Sequence, residues 1–206
     1  MHWTLTDENA HLAYNLLAAT VSPRPIAWVV TRGTLGLNAA PYSFFNVMGH
    51  APPTVALGLT ASGAGGFKDT ARNILENGEF VVNLVSEPLA DAMNLTAINA
   101  PPTVNELELA GLATTPSQFI APPRITASPV AFECRAISSV VTGPHQTVVI
   151  GRVLAVYVQD AFVLNPERGH IDTPAMNLIG RSGGLSYLRG HDHFELERPK
   201  WQGGAG

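Results

Sequence analysis

Apolar and β-branched residues in this chain fall into short runs, and glycine or proline separates most of them, so strands rather than long helices are dictated. Six such runs, at residues 26–31, 37–43, 54–59, 79–85, 130–141 and 147–160, are rich in Val, Ile, Ala and aromatics. Six strands predict a mainly β chain, a barrel or sandwich. The stretch Thr31-Arg32-Gly33-Thr34-Leu35-Gly36 joins the first two runs, and its two glycines supply the positive φ of a tight hairpin turn. Along 148–158 both alternating faces are largely apolar, which predicts one face turned inward and the other covered by a subunit.

Two helices are legible. One spans 70–77 with Asp69 as its N-cap, Ile74 and Leu75 as anchors and Gly78 as its end. The other begins at Ser86, with Pro88 in its first turn, and runs through Leu89, Ala92 and Met93. Residues 100–129 are punctuated by prolines and read as an extended connection with one helical turn near 106–110. The polar residues 191–206 form a tail, so the expected division is a domain over 1–190 followed by that tail.

Charged residues make up only 14% of the chain against a usual value of about 25%, and 46% are hydrophobic, which predicts that part of the surface is covered by a partner. No apolar run approaches the roughly 18 residues of a membrane-spanning helix, and no basic segment followed by an apolar run opens the chain, so a cytoplasmic, membrane-free protein is expected. The net charge is −4 and only two lysines, Lys68 and Lys200, are present, which argues against a nucleic-acid partner. The lone cysteine, Cys134, alternates with Phe132 and Ala136 and reads as packing.

Three segments could carry chemistry. In Phe67-Lys68-Asp69-Thr70, behind the glycine-rich residues 62–66, a helix start offers free N–H groups and a partial positive charge beside a lysine and a hydroxyl. The same residues would make an ordinary capped helix, but one of only two lysines stands there, and a phosphate would suit it. In Ser22-Pro23-Arg24-Pro25-Ile26-Ala27-Trp28-Val29, two prolines hold Arg24 at the mouth of a strand, as a surface arginine or as a partner for phosphate or carboxylate. In Leu37 to Asn46, the small residues Ala39 and Ala40, Pro41, Ser43 and the aromatics Tyr42, Phe44 and Phe45 suit either a core strand or a flat ring system. His191, His193 and Glu195 lack a clear further ligand, so no metal site is expected, and no dinucleotide fingerprint or P-loop is present.

These segments, with Pro52-Pro53, Lys68-Asp69-Thr70 followed by Asn73, Glu79-Phe80-Val81-Val82-Asn83-Leu84-Val85 and the block from Ile179 through Arg181 to Tyr187, resemble in order and spacing the flavin reductase-like, FMN-binding split-barrel family. Ser182 stands where many members of that family have leucine. The resemblance implies a Greek-key antiparallel barrel working as a homodimer, with FMN at the subunit interface. It implies cofactor contacts from Arg24, Ala40, Pro41, Tyr42, Ser43, Phe44, Asn46, Lys68, Asp69, Thr70, Asn73 and Arg181, with the flavin against residues 40–46 and its phosphate near Lys68 and Thr70. No catalytic side chain is implied, because backbone N–H groups facing the ring can tune it. The implied activity is NAD(P)H-dependent reduction of flavin, with NADH or NADPH as co-substrate and a flavin-dependent monooxygenase as recipient. The alternative is a non-catalytic, flavoredoxin-like FMN electron carrier.

Overall fold

The computed structural model of the chain describes residues 1–60 and 66–201, so the glycine-rich residues 62–65 and the closing residues 202–206 lie outside the described residues. Seven strands build one antiparallel sheet: β1 (Ala27–Gly33), β2 (Gly36–Tyr42), β3 (Phe45–His50), β4 (Pro53–Thr60), β5 (Glu79–Asn83), β6 (Val130–Gly143) and β7 (Gln146–Val158). Their spatial order is β2-β1-β5-β6-β7-β4-β3. The two edge strands, β2 and β3, are separated along the chain only by Ser43 and Phe44, so the sheet must curl until its ends approach. At the corner between them, the Gly58 N–H extends the β3–β4 ladder by donating to the Phe44 carbonyl at 2.7 Å. The result is the split barrel that the sequence implied.

One expectation needs revision here. Residues 40–46 are not one strand: the chain turns a corner at Ser43-Phe44, and the strand after the corner, β3, is an edge with Val47 and Met48 exposed. The continuous apolar runs have a plain cause in β1, where Ala27, Trp28, Val29 and Val30 are all buried. Alternate residues serve two cores. Ala27 and Val29 pack inside the barrel with Leu57, Phe80, Val82 and Cys134, whereas Trp28 and Val30 pack outside it with Val81, Met93 and Leu107. Among the described residues, α1 (Ala10–Thr20) precedes the sheet, α2 (Asp69–Asn77) packs Ala71 and Ile74 into the inner core, and α3 (Ala90–Leu95) and α4 (Glu106–Leu109) supply the outer layer through Met93 and Leu107. Burial pushes the Cys134 thiol well above its ordinary range, in keeping with a packed side chain.

The hairpin between β1 and β2 uses its glycines differently from each other. Gly36 has φ +126°, which favours glycine, but Gly33 does not have positive φ. Gly33 is required by proximity instead, because a Cβ there would lie 2.2 Å from the Asn73 Oδ1. The Asn73 amide donates to the Thr31 hydroxyl at 2.9 Å and so locks α2 beneath the hairpin. Residues 100–129 are fastened by buried acceptors: Glu133 takes the N–H groups of Gln118 and Phe119 at 2.9 and 2.8 Å, and Asn83 Oδ1 takes that of Ile125 at 2.9 Å. No helix among the described residues is long and apolar enough to cross a membrane.

Candidate functional site

Helix α2 opens onto a cleft of about 340 Å³ lined on one side by Asn38, Ala40, Pro41 and Tyr42 of β2 and on the other by Lys68, Asp69, Thr70 and Arg72. Lys68, in extended conformation, occupies the N-cap position, and Asp69 is the first helical residue, so Asp69 is not the cap the sequence predicted. Among the described residues no side chain caps this helix. Asp69 instead pairs with Arg72 one turn on. The uncapped first turn leaves backbone N–H groups available and carries the positive end of the helix dipole. Lys68 is exposed at the rim, where its ammonium donates to the Asn99 Oδ1 at 3.3 Å.

The opposite wall is ordered by one buried carboxylate. Glu106, only 4% exposed, accepts from the Asn38 amide and from the Ala39 N–H through the same oxygen, Oε2, each at 3.1 Å. The need for it is local: β2 is an edge strand, and the Ala39 N–H has no strand beside it to bond. Because a carboxylate accepts only, the Asn38 NH₂ must face Glu106 and its carbonyl must face Thr70, whose hydroxyl donates to it at 2.7 Å. Thr70, itself buried, therefore spends its proton on Asn38, and its oxygen lies beside the Tyr42 hydroxyl. Tyr42 lies in the same wall; burial pushes its hydroxyl up to about 12, Thr70 beside it acts downward, and the Glu106 charge adds a smaller upward push.

The remaining predicted residues do not all converge on this cleft. Ala40, Pro41 and Tyr42 line it, and Pro41 and Tyr42 also border an adjoining cleft of about 580 Å³ that includes Ser43, Tyr14, Asp91, Arg181 and Tyr187. Arg181 lies over the Tyr187 ring, 4.5 Å from its centroid, and donates to the Gly184 carbonyl. Arg24 is neither a surface residue nor a free cation. It is 6% exposed and donates to the carbonyls of Ala18, Val21 and Ser182 and to the Ser43 hydroxyl. Ser182 thus anchors Arg24 through its carbonyl and takes the Ser22 hydroxyl on its own side chain at 3.2 Å. Phe44 and Asn46 lie with Arg24 around a separate hollow, and Asn73 is tied beneath the hairpin.

The cleft also holds residues that sequence reasoning passed over. Asn38 stood inside the recognised motif without being assigned a role, and nothing in a one-turn helix marks Glu106 as facing β2. Asn99, which holds Lys68, lies in the loop after α3 and carries no local signal.

The sequence model of the flavin reductase-like domain matches residues 20–176. An uncharacterized protein of Deinococcus radiodurans is 42% identical over 98% of this chain and 92% of its own length. Nitrilotriacetate monooxygenase component B from Bacillus cereus superposes with a TM-score of 0.86 at 33% identity, over 95% of this chain and 99% of that one. The 2-nitrobenzoate 2-nitroreductase of Pseudomonas fluorescens gives the same score at 34% identity, over the whole of both chains. With its split barrel and a match over most of its length, the chain belongs to the flavin reductase-like family.

Proposed function

We infer that this chain is an FMN-binding oxidoreductase, an NAD(P)H-dependent flavin reductase that delivers reduced flavin or electrons to an acceptor. The observation that carries this reading is the uncapped start of α2, with Lys68 at its rim, opening into a cleft walled by β2. A dianionic phosphate suits that helix start, which combines first-turn N–H groups with no partner among the described residues, the dipole and a cation. Beside it the adjoining cleft, reached across Pro41 and Tyr42, offers the flatter surfaces of Tyr14 and Tyr187 to a ring system.

A flavin held here would supply the redox chemistry, the capacity to take up reducing equivalents from a reduced nicotinamide and pass them to an acceptor. The chain's own residues bind and orient. Lys68 and the first turn of α2 hold the phosphate, Ala40 and Pro41 allow close approach of the backbone, and Tyr42 stays protonated at neutral pH as a hydrogen-bond donor. No side chain transfers a proton in this account. Residues 1–190 form the flavin-binding unit, and Ile137, Val140, Val141 and Val156, exposed on β6 and β7, are the surface through which two copies associate. The recipient of reduced flavin is a monooxygenase, in line with the naming of the Bacillus cereus neighbour.

The test is anaerobic. Purified protein loaded with FMN is mixed with NADH or NADPH and its visible absorbance followed. Rapid bleaching by either nucleotide is the expected result. A protein that binds FMN but is bleached only by a chemical reductant would instead be an electron carrier.

A further inference from the structure

Glu106 is buried, charged and adjacent to the cleft, yet the reading above gives it nothing to do with a ligand. Its Oε2 is occupied by Asn38 and Ala39, while among the described residues no donor reaches its other oxygen, Oε1. That oxygen is not among the buried polar atoms left without a partner, so it keeps contact with the solvent of the cleft and is open to a donor from a ligand. The same carboxylate fixes the Asn38 amide and, through it, directs the Thr70 proton away from the cleft. One wall therefore presents an acceptor oxygen from Glu106, while the rim presents Lys68 and the ion pair of Arg72 with Asp69.

We propose that Glu106 is a specificity-determining residue that accepts hydrogen bonds from the hydroxyl groups of a polyol, so that the cleft selects a phosphorylated polyol chain and not merely a phosphate. This rests on the flavin reading, since FMN is a polyol phosphate carrying a ring. The division of labour follows from the chemistry of the two sides. Cations and helix N–H groups recognise phosphate oxygens, which only accept, whereas hydroxyl groups can donate to a carboxylate, and charge-assisted bonds of this kind are the stronger ones. The role of Glu106 as a cap for the edge strand remains, and the two are separable by ligand.

The experiment compares three flavins: FMN, with polyol and phosphate; riboflavin, with the polyol alone; and lumiflavin, with neither. Each is titrated against wild type, Glu106→Gln and Lys68→Ala by quenching of flavin fluorescence. Glu106→Gln keeps an acceptor for Asn38 and Ala39 but replaces the charged oxygen facing the cleft. It should weaken FMN and riboflavin by the same factor, about five- to tenfold, and leave lumiflavin unchanged. Lys68→Ala should weaken FMN alone. Melting of each variant without flavin confirms that it is folded. If Glu106→Gln leaves all three affinities unchanged, or weakens lumiflavin as much as riboflavin, the assignment is overturned. Failure of wild type to bind any of the three would overturn the flavin reading itself.

Discussion

Arg24 and Lys68 are both cations placed beside a conspicuous motif, and the fold treats them in opposite ways. Arg24 is buried and bonded to three main-chain carbonyls drawn from the end of α1, the segment after it and the distant Ser182. Lys68 is exposed, with one side-chain partner, at 3.3 Å, among the described residues. The planar guanidinium suits the first task because its several donors can join separate stretches of backbone, and a lysine could not replace it. A compact ammonium at the rim of a cleft beside a helix start suits the second. A cation that already satisfies several carbonyls holds structure, whereas one with spare donors is available to a ligand.

Removing Arg24 should break this contrast most severely. Arg24→Met leaves the carbonyls of Ala18, Val21 and Ser182 without their donor; the buried Ala18 carbonyl costs about 1–3 kcal/mol, and the part-buried other two, which water can reach, cost less. We expect thermal unfolding to fall by roughly 10 °C, measured calorimetrically, because about 1 kcal/mol corresponds to roughly 2–4 °C at this chain length. Lys68→Ala should do the reverse, lowering FMN affinity by about ten- to a hundredfold while leaving the melting temperature of the flavin-free protein in place. If Arg24→Met melts like wild type and loses FMN, the roles of the two cations are exchanged.

Tyr42 sharpens the picture through pH. Its hydroxyl titrates near 12 in the folded chain, above its ordinary value of 10, so the unfolded chain releases the proton first. The stability this group contributes is complete below pH 10 and is lost as pH rises from 10 toward 12. Denaturation across that window should show a decline that is shallower in Tyr42→Phe; identical slopes would contradict the assigned burial. The smallest effect is expected at Asp69. Because Asp69 lies inside the first turn and pairs with a half-exposed Arg72 instead of capping the helix, Asp69→Ala should cost no more than about 0.5 kcal/mol by urea denaturation. A loss near 2 kcal/mol would restore the capping role.

Much of the barrel was legible because its strands are bounded by strong signals. Apolar runs buried on both faces, as at Ala27 to Val30, stand out from any window of sequence. Helix α1 did not stand out: Ala18 is buried while Tyr14 and Leu17 are exposed, so no single apolar face announces it. The corner at Ser43-Phe44 was hidden because Phe45 and Val47 continue the residue types of β2, and only closure of the sheet separates β2 from β3. At the site, Lys68 and Thr70 were found from their place at a helix start. Glu106 was not, because its importance comes from an unpaired edge N–H some 67 residues away in the chain, which no local pattern encodes.

The central claim is that the start of α2 at Lys68 binds the phosphate of FMN. Parallel titrations of wild type and Lys68→Ala with FMN and riboflavin test it most directly. The account predicts that wild type prefers FMN and that Lys68→Ala loses most of that preference while its riboflavin affinity is retained. Equal affinity of wild type for the two flavins, or a preference that survives Lys68→Ala undiminished, would contradict it.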